Sequence, residues 1–369
     1  MALFIIGSYA AKPHIPVYGA EWNGSSSPAW TRTDDAVGFA DPNPYYSGMS
    51  GTPSSPFDDI MPWSGMRIVE DASAGTLVEI PKFYYKWTRN GAAMKLQISM
   101  SPFDGSFVSP AHADRGDGIG ERDYVYIGRY HCGENSWKSA SGQLPKSYVT
   151  RSYARSNIHN LGTNVWQNDY AIWWTVNMLY LVEFAHWNSQ LKIGYGCGDN
   201  SAVGNMGYTD NMPYHTGTTQ SSRTTYGLGT QYRHIEGWWD NVYDWIDGIY
   251  FSSTNIYGIK NPASFSDTSG GMLIGTRPDA LGYIKAWSNS SVSGFEYALY
   301  PSILGSSSDT YVCDYCSYNS YGVLLCAGGY YNQSQVYGAF FLIGYYNETN
   351  NYDYIGSRLM VLPPNRLTA

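Results

Sequence analysis

One stretch limits the architectures open to this chain more than any other. From Tyr170 to Trp187 it reads YAIWWTVNMLYLVEFAHW. Trp173, Val176, Tyr180, Phe184 and Trp187 fall close to one helical face. Ile172, Trp174, Met178 and Leu181 widen the apolar area to most of the circumference. A helix apolar nearly all round is buried by other elements. Asn177, Glu183 and His186 interrupt the run, which makes it a poor membrane span. The pattern predicts a central core helix, capped by Asn168 or Asp169. A shorter helix is expected before it, from Ser152 to Leu161, stopping near Gly162.

Strand signals come earlier and later. Thr76–Ile80, Lys82–Trp87 and Met94–Ile98 read as strands, the last two joined by an Asn90-Gly91 hairpin turn. Tyr124–Tyr130 alternates with period two. Residues 1 to 65 are rich in Ser, Pro, Gly and Asp, with Ala20–Trp22 and Ala36–Ala40 as short strands at most. They read as an arm that docks on the main body or on a neighbouring subunit. The segment HIEGWWDNVYDWIDG fits a strand or a helical turn, and residues 261–308 read as irregular. The expected organisation is this arm plus one α+β domain over residues 66–369, with a small sheet completed by C-terminal strands.

That C-terminal end has its own pattern. Short apolar runs at Val323–Ala327, Gly338–Ile343 and Arg358–Leu362 alternate with runs of Tyr, Asn, Ser and Asp. Ten Tyr lie between Tyr315 and Tyr354, and no Lys, Arg or His occurs from Ala286 to Ser357. Asn, Ser and Gly dominate any turn, but turns alone do not call for so many Tyr. Tyr gives a large rigid contact face at low entropic cost, while Asn and Ser give adaptable polar groups. The region of about residues 311–357 is therefore expected to be a ligand-binding surface. Its candidate residues are Tyr315, Tyr318, Asn319, Tyr321, Tyr330, Tyr331, Asn332, Ser334 and Tyr337 in the first half. In the second half they are Tyr345, Tyr346, Asn347, Asn350, Asn351, Tyr352, Asp353 and Tyr354. All are expected to face solvent, with Phe340, Phe341, Ile343, Leu359 and Val361 facing a core.

Composition restricts the partners. Charged residues make up 14% of the chain, well below the usual quarter, and the net charge is −8. That balance argues against nucleic acid and anionic membrane. The five cysteines are odd in number, and Cys313 and Cys316 form a single CxxC without a second. Reduced thiols are expected rather than a disulfide framework or a zinc site. The N-terminus MALFIIGSYAAKPH has no basic segment before its apolar residues and does not read as a secretory signal.

The order of these elements, with EGWWDNVYDWIDG, LYLVEFAHWNSQLKIGYG and the closing CAGGYYNQSQVYGAFFLIGYY…IGSRLMVLP, resembles a known family. It is similar to phage tail receptor-binding proteins whose variable region is diversified by retroelements. Their fold is the C-type lectin fold of the formylglycine-generating-enzyme-like kind, whose GNVWEW signature is matched loosely by the WWDNVYDW segment. The resemblance covers about residues 66 to 369. It implies a host-attachment protein carried on the virion, a bacterial surface protein or glycan as receptor, other tail proteins as neighbours and a homotrimer. No cofactor and no membrane insertion are implied. Adenine-directed mutagenesis would scatter Asn codons among Tyr, Ser, Asp and similar residues, the mixture present here.

Enzymatic readings are weaker. The formylglycine-generating oxidases bind copper through a cysteine pair, and Cys313, Cys316 and Cys326 lie in that general region. No arginine-flanked cysteine motif accompanies them, and no Lys or Arg is nearby to lower a thiol pKa. Asp240, Asp244 and Asp247 lie among Trp residues, as glycosidase carboxylates can, and Asp114, Asp117 and Glu121 form an acidic turn with calcium-like donors. In relatives of the enzyme family the region of Asn241 and Asp244 can ligate calcium. A structural tail subunit, its Tyr-rich end packed on neighbours, is the remaining alternative.

Overall fold

The computed structural model describes residues 13–196, 202–319, 321–332 and 337–367. Strands make up 34% of the described residues and helices 10%. Among the described residues there are five sheets and three α-helices: α1 (Arg151–His159), α2 (Tyr170–Phe184) and the single turn α3 (Ser189–Lys192). This corrects the expected α+β, C-type-lectin-like arrangement with one small sheet: the chain is mostly β. The reason is local. Many strands here are only two to five residues long and are separated by Gly, Asn and Ser turns, so in sequence they look like loop.

The segment read as irregular shows this best. Met272–Thr276, Leu281–Asn289 and Leu299–Leu304 are all strands. Gly275, Gly282 and Pro301 break their apolar alternation, and the register slips around Ala286. Conversely, Ala36–Ala40 forms a turn rather than a strand. Residues 18–65 lie within the body. Tyr18–Trp22 pairs along its whole length with Ala93–Ser99, and Trp22, Trp30, Phe57 and Trp63 are buried in the main core.

α2 is that core's axis, and all fifteen of its residues are buried. The Asp169 carboxylate caps it by accepting the Ile172 amide, and its other oxygen is paired with the buried Arg115. Ala185 ends it in a left-handed conformation (φ 48°). Trp174 packs against Trp287 at 5.5 Å between ring centres and Trp87 at 6.3 Å, while Trp187 meets Phe340 at 4.9 Å. The polar residues Asn177 and Glu183 of α2 are both bonded. Asn177 accepts from Trp238 Nε1 at 3.0 Å and donates to the Ala339 carbonyl at 3.1 Å. Glu183 takes hydrogen bonds from Arg233, Tyr232 and Ser55. Among the described residues no helix is long and apolar enough to cross a membrane.

The largest sheet positions the C-terminal region. Its seven strands run in the order Leu299–Leu304, Leu281–Asn289, Tyr315–Tyr318, Leu342–Tyr346, Leu324–Ala327, Tyr243–Ile246 and Ile355–Gly356. The ambiguous WWDNVYDW segment thus supplies an inner strand, with Trp245 opposite Cys326 and Tyr243 opposite Ile355. Two glycines let this sheet close up. A methyl group on Gly344 would lie 2.5 Å from the Tyr318 ring, and one on Gly322 would lie 2.0 Å from the Gly344 carbonyl oxygen.

Candidate ligand-binding surface

Side chains alternate across a strand, and the seven-stranded sheet sorts the C-terminal region by that rule. Cys316, Tyr318, Leu342, Leu325, Ala327 and Ile246 face the α2 core. Tyr315, Ile343, Leu324, Cys326, Tyr243 and Trp245 face the other way and gather a second apolar cluster with Tyr330, Tyr337, Phe341, Tyr346 and Tyr354. Ring packing holds that cluster. Tyr243 stacks on Phe341 at 5.4 Å and meets Tyr337 edge-on at 5.6 Å, and Tyr337 in turn stands edge-on to Phe341 at 4.3 Å. Tyr330 and Tyr354 lie 4.8 Å apart, and Tyr352 stacks on Tyr354 at 5.1 Å. Burial raises the Tyr243 and Tyr346 hydroxyls above the usual phenol range, so both stay neutral.

Above this cluster lies an open recess of about 250 Å³ lined by Tyr243, Tyr315, Ser317, Tyr330, Tyr337, Phe341, Ile343, Tyr346 and Tyr354. Five of the sequence candidates line it: Tyr315, Tyr330, Tyr337, Tyr346 and Tyr354. Tyr243, Ser317, Phe341 and Ile343 are not among the candidates. Period-two alternation in Tyr243–Ile246 is the signal that would flag Tyr243, once the segment is read as a strand.

The remaining candidates divide by exposure. Tyr321 is 86% exposed and Tyr345 55%. Asn332, Asn351 and Tyr352 are also exposed, and Asn319, Asn347, Asn350 and Asp353 are half-buried. Asn347 and Asn350 fold the loop on itself, the Asn350 side chain accepting the Asn347 amide at 2.7 Å. Asp353 accepts the Tyr331 hydroxyl at 2.9 Å. Tyr318, Tyr331, Tyr337 and Tyr346, by contrast, are buried, which differs from the expectation that every Tyr of the region faces solvent. Tyr318 is inside because its strand position points to the α2 core, where Arg277 lies 4.8 Å from its ring centre. Tyr337 and Tyr346 form the floor of the recess. Ser334 lies outside the described residues.

The thiols and acidic groups singled out in the sequence have structural surroundings. Cys132, Cys313, Cys316 and Cys326 are free thiols, and Cys197 lies outside the described residues. Burial pushes the thiols of Cys313, Cys316 and Cys326 up, away from reactivity. Cys316 and Cys326 sit in different clusters on opposite faces of the sheet, which does not fit a shared copper ion. Asp244 is bound to His131 at 2.9 Å and Arg358 at 3.1 Å, and Asp247 to Arg155. Asp240 accepts the Gly229, Thr230 and Asn241 amides, and Asn241 clasps the Gly204 backbone through both its amide atoms. Asp117 pairs with Arg122 and Asp114 accepts the Gly116 amide. No cluster of three potential metal ligands occurs among the described residues. No protein-family model matches the chain, and no curated protein matches it.

Proposed function

We propose that this chain is the receptor-binding protein of a phage tail and that its Tyr-rich C-terminal face contacts a protein or glycan on the bacterial surface. The observation that carries this reading is the recess with its rim. Four tyrosines of the region are spent on the fold, while Tyr315, Tyr330 and Tyr354 border an open concavity and Tyr321, Tyr345 and Tyr352 stand out into solvent. Exposed aromatic area of this kind is costly to leave uncovered and marks contact sites. Tyr is also among the residue types most often found at interface hot spots. In this reading the chain is a homotrimer attached to other tail proteins, and weak contacts per subunit add through multivalency.

Diversification by a retroelement is compatible with the same face. The exposed Asn332, Tyr345, Asn351 and Tyr352 can change with little effect on the core, while Tyr318, Tyr337 and Tyr346 are held by packing. The direct test is competition. Purified chain, added in excess to the host bacteria, should block adsorption of the parent phage. Undiminished adsorption at saturating protein would rule out an attachment role.

A further inference from the structure

The recess has a chemical character that narrows its ligand, given the reading of this face as the contact surface. Its lining holds six Tyr, one Phe, one Ile and one Ser and no ionised group. Residues 286–357, which supply eight of the nine lining residues, contain no Lys, Arg or His. A cation in the recess thus meets an aromatic lining with no repelling charge from that stretch. The lining rings also pack on one another at steep angles. Tyr243 makes 80° with Tyr337 and 88° with Tyr354, and Tyr337 makes 87° with Phe341. The recess therefore has a buried aromatic floor of differently oriented rings, with Tyr315, Tyr330 and Tyr354 less buried beside it, rather than one flat platform, and several aromatic quadrupoles can act on one positive centre there.

A neutral sugar ring is a poorer match. No carboxylate, amide or guanidinium lines the recess to hold its several hydroxyl groups in one orientation. A primary ammonium is also poorer. Its three N–H donors need strong acceptors once water is stripped away, and no carboxylate lines the recess. A quaternary ammonium has no N–H to satisfy and loses little by leaving water. We infer that the recess binds a quaternary ammonium group of the choline type, displayed on the surface that this chain contacts.

Calorimetric titration of the full chain tests this with choline, its neutral tert-butyl analogue and butylammonium, all at matched ionic strength. Choline should bind saturably, and the other two should bind weaker by about tenfold or more, the factor that a cation–π contribution of about 1–2 kcal/mol supplies. Tyr315→Leu, on the rim, should keep the apolar volume and weaken choline binding by a similar factor. Tyr354→Phe, which keeps the ring, should bind choline nearly as well as the parent. Thermal melting of both variants establishes that they are folded. No saturable choline binding, equal binding of the neutral analogue or of butylammonium, or unchanged affinity in folded Tyr315→Leu would each overturn the inference. If choline fails to bind while the chain still blocks adsorption, this inference falls and the attachment reading stands. If choline binds but adsorption is not blocked, the recess is upheld as a site and the attachment reading falls.

Discussion

Replacing Arg358 by Met should destabilise the protein by about 3–5 kcal/mol, read as a lowered urea midpoint at neutral pH. Arg358 is completely buried, and its guanidinium serves five acceptors. Nε donates to Asp244 at 3.1 Å, Nη1 to the carbonyls of Gly128 and Arg129 at 2.9 Å each, and Nη2 to those of Glu236 and Gly237 at 2.8 and 3.1 Å. It therefore joins the strand Tyr124–Gly128, the turn before Trp238 and the strand Tyr243–Ile246 at one point. Burial works to raise the Asp244 carboxyl, but His131 and Arg358 outweigh it and hold it below the usual carboxylate range. Without Arg358 that carboxylate keeps only His131, and four carbonyls lose a donor in a place water does not reach. Lys should recover only part of the loss, because an ammonium cannot span five acceptors arranged for a planar fork. A loss below about 1 kcal/mol for Met would mean that the cluster is not a clasp.

Trp174→Ala should cost a similar amount, about 3–5 kcal/mol, measured in the same way. The ring is fully buried and packs against Trp87, Tyr170, Trp173, Trp287 and Phe340. These neighbours belong to α2, to the strand Tyr84–Asn90, to the strand Leu281–Asn289 and to the segment preceding Leu342–Tyr346, so a cavity here loosens all of them at once. Its indole also donates to the Leu299 carbonyl at 3.2 Å. Close packing on all sides leaves little room for collapse into the void, which places the cost toward the upper part of the range.

The parts of this molecule legible in its sequence are those with a strong local signal. α2 is visible because its apolar surface goes all round, and the hairpin because Gly91 favours a tight turn, although the two turn residues are Gly91 and Ala92 and Asn90 is the last strand residue, paired with Ala93. The strand count is not visible. A strand of two residues cannot carry periodicity, as Gly217–Thr218 and Ile355–Gly356 show. Sheet partners far apart in sequence decide whether such pairs become strands at all. The C-terminal region is legible in composition but not in detail. Whether a given Tyr points to the core or to solvent depends on strand register, which a one-residue slip inverts. Tyr315 and Tyr318 differ for that reason. The contribution of Tyr243 is hidden because the strand carrying it lies far upstream and gains its place only through pairing with Leu324–Ala327.

On this reading, one side of the C-terminal region folds the protein and the other meets a receptor. The measurement that tests this most directly pairs thermal unfolding with adsorption to host cells on the same set of variants. Tyr337→Ala, Tyr346→Ala and Phe341→Ala should each lose about 2–5 kcal/mol of stability, as buried aromatic residues do. Tyr321→Ser, Tyr345→Ser, Tyr352→Ser and Asn351→Ala should shift stability by no more than about 0.5 kcal/mol. At least one of these four should abolish adsorption, because binding energy concentrates in a few contacts. If the exposed variants unfold as readily as the buried ones, or if all of them remain folded and adsorb like the parent protein, the account is contradicted.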